Sequence, residues 1–168
     1  MVMVPVGQDK LFSQASSLFF QRCHDPHYRE QLQSFLRSDM EKYLRAWLVG
    51  KAFLMHSEIL TPNLMKKEIT RLLNFIVYYL SIKHIEVYHG SFPGSTLEKI
   101  RSLGPTIDKA YGIQELSTFL HWMFLDFYRW RLRSDLCNGQ FEPLHLTSRE
   151  LTRMLSYRQV IDELFKRL

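Results

Sequence analysis

TPNLMKKEITRLLNFIVYYL, residues Thr61 to Leu80, is the stretch that decides the fold of this chain. Its apolar side chains recur every three or four residues, which places them on one face of a helix. They are Leu64, Ile69, Leu72, Leu73, Ile76, Tyr79 and Leu80, and the basic residues Lys66, Lys67 and Arg71 fall away from that face. Pro62 suits the first turn of a helix because no amide hydrogen is needed there. We therefore predict an amphipathic helix.

Helical spacing of apolar residues continues on both sides of this segment. Glycine and proline are few and collect at a handful of places, so the chain is divided into long segments rather than many short strands. Long helices are also predicted over Tyr28–Glu58, Thr106–Leu132 and Thr147–Leu168, and shorter ones over Gln8–Arg22 and Ser95–Leu103. In the helix nearest the N-terminus, the residues expected to face the core are Leu11, Ala15, Leu18 and Phe19.

Local signals mark several helix ends. Asp25 followed by Pro26 is typical of an N-cap and first turn, and Ser95 with Glu98 has the spacing of a capping box. The short helix after Ser95 is expected to end at Leu103, where Gly104 and Pro105 follow. The next helix should lie at the centre of the core, because its apolar face holds Leu116, Phe119, Leu120, Met123, Phe124, Phe127 and Tyr128.

These segments together predict the fold class. The 168 residues, 46% of them hydrophobic, can bury one substantial core. We expect an all-α protein with a single domain over residues 1–168, built as an antiparallel bundle of four long helices plus shorter ones. No segment demands a strand, and residues 1–7 are expected to form a loose tail.

Charge, cysteine content and hydropathy restrict the setting. Two cysteines make no disulfide framework in a chain of this length, and no secretory signal pattern opens it, so we expect a cytoplasmic protein. The longest charge-free runs fall well short of the roughly 20 residues that a membrane span requires, so no membrane insertion is expected. The net charge of +5 permits several kinds of partner and selects none, because acidic and basic residues are interleaved.

Catalytic and metal-binding motifs are missing from the sequence. It contains no nucleophile elbow, phosphate-binding loop or dinucleotide fingerprint. Its seven histidines are scattered, and the pairs His24 with His27 and His84 with His89 lack cysteines or carboxylates at zinc-site spacing. We therefore expect neither an enzyme, nor a metal site, nor a cofactor.

The C-terminal segment Leu146–Leu168 superficially resembles a helix-turn-helix, with a possible turn near Ser156. No glycine lies near Ser156, and the apolar spacing fits an unbroken helix equally well. Two alternative functions are left open. One is a nucleic-acid-binding protein that uses residues 147–168 and the arginine cluster from Arg129 to Arg133. A helical adaptor or chaperone for another protein is a second.

Three blocks carry a resemblance to a known family. They are KYLRAWLVGK from Lys42 to Lys51, VYYLSIKHIEVY from Val77 to Tyr88, and MLSYRQVIDELF from Met154 to Phe165. In order and spacing they resemble the Rsd/AlgQ family, the bacterial regulators that bind the primary sigma factor of RNA polymerase. The resemblance implies a helical, non-enzymatic regulator of transcription with that sigma factor as its partner.

The same resemblance implies which side chains contact the partner: Trp47, Tyr78, Ser81, His84 and Tyr88. At two positions the chain departs from the family, since Tyr78 stands where the family has an aspartate and His89 where it has a glutamate. The family's surface is generally acidic, whereas this chain is basic. A different partner, a different surface of the sigma factor, or a local acidic patch that the overall charge hides is compatible with these departures.

A structural role for the matching residues is the other interpretation. Trp47 and Tyr79 lie on apolar faces and can be core aromatics. Arg158 interrupts an apolar stripe and should meet a carboxylate, such as Asp162 one turn on, because an unpaired buried guanidinium is costly. We predict a buried polar network of Tyr79, His84, Arg158 and Asp162.

Overall fold

The structure of the protein, a computed structural model, describes residues 6–49, 62–137 and 148–168. Within these ranges the chain is all-helical, and no strand occurs among the residues described. The helices are α1 (Val6–Arg22), α2 (Pro26–Val49), α3 (Pro62–Lys83), α4 (Thr96–Ala110), α5 (Leu116–Cys137) and α6 (Ser148–Arg167), with a short 3-10 turn at Ile85–Val87. The all-α prediction is confirmed.

The helix α3 is the centre of the packing. It packs against α5, α2 and α4, and α5 packs in turn against α4. Leu72, Ile76 and Leu80 are almost completely buried, as their spacing predicts. The helix begins at Pro62 and continues through Ser81 to Lys83, after which the backbone leaves helical geometry at His84.

The N-terminal helix α1 differs from its prediction in two ways. It begins at Val6, so the last two residues assigned to a loose tail are helical, and residues 1–5 lie outside the described part. Its expected core face is wrong for Leu11, Ala15 and Leu18, which are exposed, whereas Phe19 packs against the core as predicted. The helix packs through its last turns, where Phe20 and Cys23 are buried and the Phe20 ring contacts Phe92.

The start of α2 follows the predicted signals. Its first residue is Pro26, and the Asp25 carboxylate accepts a hydrogen bond from the His27 amide at 3.0 Å. The helix is described as far as Val49. The predicted continuation to Glu58 lies outside the described residues.

The boundary between α4 and α5 was predicted wrongly. The capping box is confirmed, since the Ser95 hydroxyl accepts from the Glu98 amide at 3.1 Å, but α4 continues through Pro105 to Ala110. A proline removes one amide donor and keeps a helical φ, and the complete burial of Ile107 beyond it anchors the last turn. The segment from Thr106 to Ala110 therefore belongs to α4.

The helix α5 begins instead at Leu116, after a turn in which two residues have positive φ. These are Gly112, with φ of 64°, and Glu115, with φ of 55°. Asp108 of α4 holds the first turn of α5 by accepting hydrogen bonds from the Ser117 amide at 2.7 Å and from its hydroxyl at 2.6 Å. Of the predicted core face, Leu116, Leu120 and Met123 are buried and Phe119, Phe124 and Phe127 pack against the core, whereas Tyr128 is 47% exposed and was wrongly assigned to that face.

The C-terminal helix α6 is unbroken from Ser148 to Arg167. At the position of the supposed turn, the Ser156 hydroxyl donates to the Thr152 carbonyl at 3.0 Å, as a serine inside a helix can. The helix-turn-helix interpretation of Leu146–Leu168 is therefore wrong.

No helix in the described ranges combines the length and apolar character that crossing a membrane requires. Over the same ranges, the structure brings together no group of three or more side chains able to hold a metal ion.

Candidate protein-docking surface

Two of the residues that the family resemblance assigns to partner contact lie inside the protein. Ser81 and Tyr88 are 2% and 6% exposed, and their hydroxyl groups are hydrogen-bonded at 2.8 Å. The Tyr88 hydroxyl also donates to the Lys99 carbonyl at 3.3 Å. These contacts tie the end of α3 to α4. The two hydroxyl groups therefore satisfy each other in the interior.

His84 is also engaged within the chain. Its Nε2 atom shares a hydrogen bond of 2.5 Å with the Tyr111 hydroxyl, and its Nδ1 atom lies 3.8 Å from a Glu86 carboxylate oxygen. Burial lowers the pKa of His84, an effect that Glu86 opposes and Lys83 reinforces. Burial likewise raises the pKa of Tyr111 to about 12. A neutral histidine at the end of α3 therefore pairs with a protonated phenol at the end of α4.

Tyr78 is the one residue of the predicted contact set whose described side chain is exposed, at 37% of its surface. Its ring stacks on Phe19 of α1, with the ring centroids 6.2 Å apart and an angle of 11° between the planes. Trp47 belongs to α2, but its side chain lies outside the described part of the structure. Four of the five residues can thus be placed, and they do not form one exposed patch.

The predicted polar network is present in part. Arg158 is 3% exposed and donates from Nε to Asp162 at 3.0 Å, one helical turn away, as predicted. Its Nη2 atom donates to the Leu44 carbonyl of α2 at 3.0 Å. Tyr79 is buried. It lies close enough to Tyr111, the partner of His84, that a negative charge on Tyr79 would raise the pKa of the Tyr111 phenol. No described hydrogen bond joins Arg158 to His84, so the four residues belong to two separate groups.

A partly buried acid–phenol contact lies near Arg158. The Tyr43 hydroxyl of α2 donates to Glu68 of α3, and Arg71 lies over the Tyr43 ring at 4.0 Å from its centroid. Burial, followed by the hydrogen bond to Glu68, raises the pKa of Tyr43. The Tyr43–Glu68 contact joins α2 to α3, and Arg158 joins α6 to α2. We call Arg158, Asp162 and the Leu44 carbonyl the arginine-centred group.

A different ionic group, which the sequence pattern does not predict, lies between α5 and α6. Asp126 is 3% exposed and accepts hydrogen bonds from Arg153 Nη1 at 2.9 Å and from the Tyr157 hydroxyl. Arg129, one turn on along α5, lies 3.2 Å from the same carboxylate. Burial and the Asp126 contact raise the pKa of Tyr157. We call these four residues the aspartate-centred group.

Large apolar side chains are exposed directly beside the aspartate-centred group. Trp122 is 60% exposed, Leu125 51% and Leu132 61%, all on α5. Trp122 and Leu125 line a depression of about 230 Å³ together with the four members of the aspartate-centred group. The side chains of Arg129 and Arg153 remain 57% and 41% exposed. We call this depression with Leu132 the α5–α6 surface.

The spacing on α5 contains a signal for this surface. Positions 122, 125, 129 and 132 follow one another by three or four residues, so they form a second stripe on the helix. Asp126 sits among core positions, where a carboxylate requires partners. When a helix is apolar on two faces, one face is expected to pack against the core and the other to be available to a partner.

A larger depression of about 460 Å³ lies between α4 and α5. Its lining includes Arg101, Asp108, Ser117 and His121. Both oxygens of the Asp108 carboxylate are used to hold the start of α5, through the Ser117 amide and hydroxyl. Asp108 and Ser117 therefore have a structural role in the helix junction.

Comparison of the chain with family models, with curated proteins and with solved structures found no match.

Proposed function

We propose that this protein acts by binding another protein, without catalysis, and that its partner is the primary sigma factor of RNA polymerase. The observation that carries protein binding is the exposure of Trp122, at 60%, within an apolar stripe that arginines border. Tryptophan and arginine are the residues most enriched at the energetic centres of protein interfaces. The sigma factor as the partner is supported by the resemblance of three sequence blocks to the Rsd/AlgQ family. An antiparallel arrangement of the helices, as in a bundle, belongs to the same proposal.

The charge of the surface determines where on the partner contact is made. Arg129 and Arg153 point to an acidic surface, because like charges repel the basic regions with which proteins read DNA. On this proposal the protein meets an acidic part of the sigma factor rather than its promoter-reading part. Its effect then depends on affinity and on the amounts of the two proteins, since it competes for a surface instead of turning over a substrate.

Calorimetric titration of the protein with the cognate primary sigma factor tests the partner. We expect binding, and we expect Trp122→Ala to weaken it at least about tenfold, the effect of losing an interface hot spot. Phe35→Ala is the matched control, because Phe35 on α2 is an aromatic residue of similar exposure, at 67%. Tyr78→Ala examines the surface that the resemblance implies.

Absence of binding at tens of micromolar would exclude the sigma factor as the partner. If Tyr78→Ala weakened binding and Trp122→Ala did not, contact would lie around Tyr78 on α3 instead. Binding of duplex DNA that weakens steeply as salt is added would replace the proposal by nucleic-acid binding.

A further inference from the structure

We infer that the α5–α6 surface receives an acidic amphipathic helix, whose apolar face lies on Trp122 and Leu125 and whose carboxylates meet Arg129 and Arg153. This inference rests on the proposed protein-binding function and specifies the partner segment. The shape and the charge of the surface carry it.

The apolar part of the surface has the dimensions of a helix contact. Residues 122 to 132 span three turns of α5, roughly 15 Å at 1.5 Å per residue. Trp122, Leu125 and Leu132 are thus presented along a line that a second helix of similar length can follow. An incoming helix would bring apolar residues at positions i, i+3 or i+4, and i+7.

The charge of the surface selects an acidic occupant. Two guanidinium groups share a single carboxylate, Asp126, so the group carries one positive charge in excess. Asp126 is buried beneath them, with only 5% of its side chain exposed, whereas both arginines reach solvent. An approaching chain therefore meets the cations and not the anion. Carboxylates match the fork of guanidinium donors, which favours aspartate and glutamate in the occupant.

The arginines are already positioned before any partner arrives. The contacts to Asp126 use Nη1 of both Arg129 and Arg153, and a guanidinium carries five N–H donors in a fixed arrangement. Holding each side chain by one nitrogen lowers the conformational entropy that binding would otherwise remove. The buried aspartate thus orients two cations toward the apolar stripe.

A protein helix fits these observations better than a nucleic-acid backbone. The stripe offers a tryptophan and two leucines along most of its length, and these side chains gain little from phosphates. Their burial against apolar residues contributes roughly 25 cal/mol per Å². Arginines at the border of an apolar stripe are typical of protein interfaces.

Two synthetic peptides test the inference. Each is a helix of about 16 residues with leucine along one face, and one carries glutamate on the flanks where the other carries lysine. Fluorescence polarisation of the labelled peptides with the full chain measures both affinities. We expect the glutamate peptide to bind and the lysine peptide to bind at least about tenfold more weakly, since its charges meet like charges.

Three variants assign the binding to the surface. Trp122→Ala and Arg129→Glu should each weaken binding of the glutamate peptide at least about tenfold. Arg101→Glu is the matched control for charge, because it alters the net charge equally at an exposed position on α4, and it should leave the affinity within about twofold. Circular dichroism verifies that each variant is folded, and Leu125→Ala, which keeps the ionic group intact, repeats the test if Arg129→Glu does not fold.

Equal binding of both peptides, no binding of the glutamate peptide, or equal effects of Arg129→Glu and Arg101→Glu would overturn the inference. The test is independent of the sigma factor. If the glutamate peptide binds and the sigma factor does not, the partner is wrong and the surface is right. If the sigma factor binds without any effect of Trp122→Ala, the surface is wrong.

Discussion

The two ionic groups on α6 are opposites in burial. In the arginine-centred group the cation is inside, with 4% of the Arg158 side chain exposed, and its partner Asp162 is 37% exposed. In the aspartate-centred group the anion is inside, and the partner cations of Arg129 and Arg153 reach the surface. Both groups neutralise a buried charge. Only the second leaves exposed cations that a partner molecule could contact.

This difference indicates which group is structural and which can also bind. A buried guanidinium that spans α6 and α2 through the Leu44 carbonyl joins helices. Exposed guanidinium groups anchored on a buried carboxylate remain within reach of a partner. It also means that the effect of a substitution depends on where the remaining charge lies, and not on how deeply the removed side chain is buried.

The largest expected effect comes from the more exposed acid. Asp162→Asn leaves the Arg158 guanidinium buried without its carboxylate and should lower the free energy of unfolding by about 3 kcal/mol. Urea denaturation measures the change, and Glu163→Gln, at the exposed neighbouring position with surface ion pairs to Lys166 and Arg167, should have a much smaller effect because exposed ion pairs contribute little. The double variant Arg158→Met with Asp162→Asn should recover much of the loss, because no buried charge remains. A loss in Asp162→Asn no greater than in Glu163→Gln would show that Asp162 is not needed to neutralise the buried Arg158.

The next effect comes from removing both cations of the aspartate-centred group. Arg129→Gln together with Arg153→Gln leaves Asp126 buried with the Tyr157 hydroxyl as its donor, and should lower the free energy of unfolding by about 2 kcal/mol. Each single substitution should cost about 0.5 kcal/mol or less, because the other arginine still neutralises the carboxylate. Strict additivity in this double-mutant cycle would show that the two arginines do not share one partner.

Replacing the buried acid itself should have a smaller effect. Asp126→Asn removes the buried charge, and its amide oxygen still accepts from Tyr157, while Arg129 and Arg153 can turn to water. We expect a loss of about 1 to 2 kcal/mol, less than in Asp162→Asn although Asp126 is the more buried acid. Thermal and chemical denaturation of the two variants side by side decide the order. A larger loss in Asp126→Asn than in Asp162→Asn would show that the burial of the removed side chain, and not the position of the remaining charge, determines the effect.

The smallest effect at neutral pH concerns the phenol of the aspartate-centred group. Tyr157→Phe removes one hydrogen bond to Asp126 and should cost about 1 kcal/mol at pH 7. Burial raises the folded-state pKa of Tyr157 above its unfolded value near 10, so its contribution is fully present below pH 10 and is lost as the pH rises beyond it. The difference between wild type and Tyr157→Phe should therefore stay constant up to about pH 9 and shrink as the pH rises above about 10. Tyr43→Phe, in contact with Glu68, should behave in the same way, and a constant difference would contradict the pKa shift.

How much of this could be predicted from the sequence depends on the range of the interaction. The apolar face of α3 and the pairing of Arg158 with Asp162 follow from residues within one or two turns, and both are confirmed. The contact of Asp126 with Arg153 joins positions 27 apart, and periodicity within one helix carries no information about it. The same limit applies to His84, because its partner Tyr111 is 27 positions away, at the end of α4.

Two further errors have a local origin. Pro105 was assigned to a helix end because a proline removes an amide donor, but the buried Ile107 beyond it continues the helix. Leu18 was assigned to the core because helical spacing shows that a face exists without showing what covers it. The exposed stripe on α5 shows the same limit. Its apolar spacing is regular, but the core lies on the other side of the helix.

The hydrogen bond from Arg158 to the Leu44 carbonyl has a consequence for the order of folding. It joins positions 114 residues apart, whereas α4 and α5 adjoin in sequence and pack on each other. Contacts between neighbouring segments form before contacts that close long loops, because the entropy of loop closure rises with length. Docking of α6 onto α2 should then follow the transition state, so that substitutions at Arg158 accelerate unfolding and leave the refolding rate nearly unchanged.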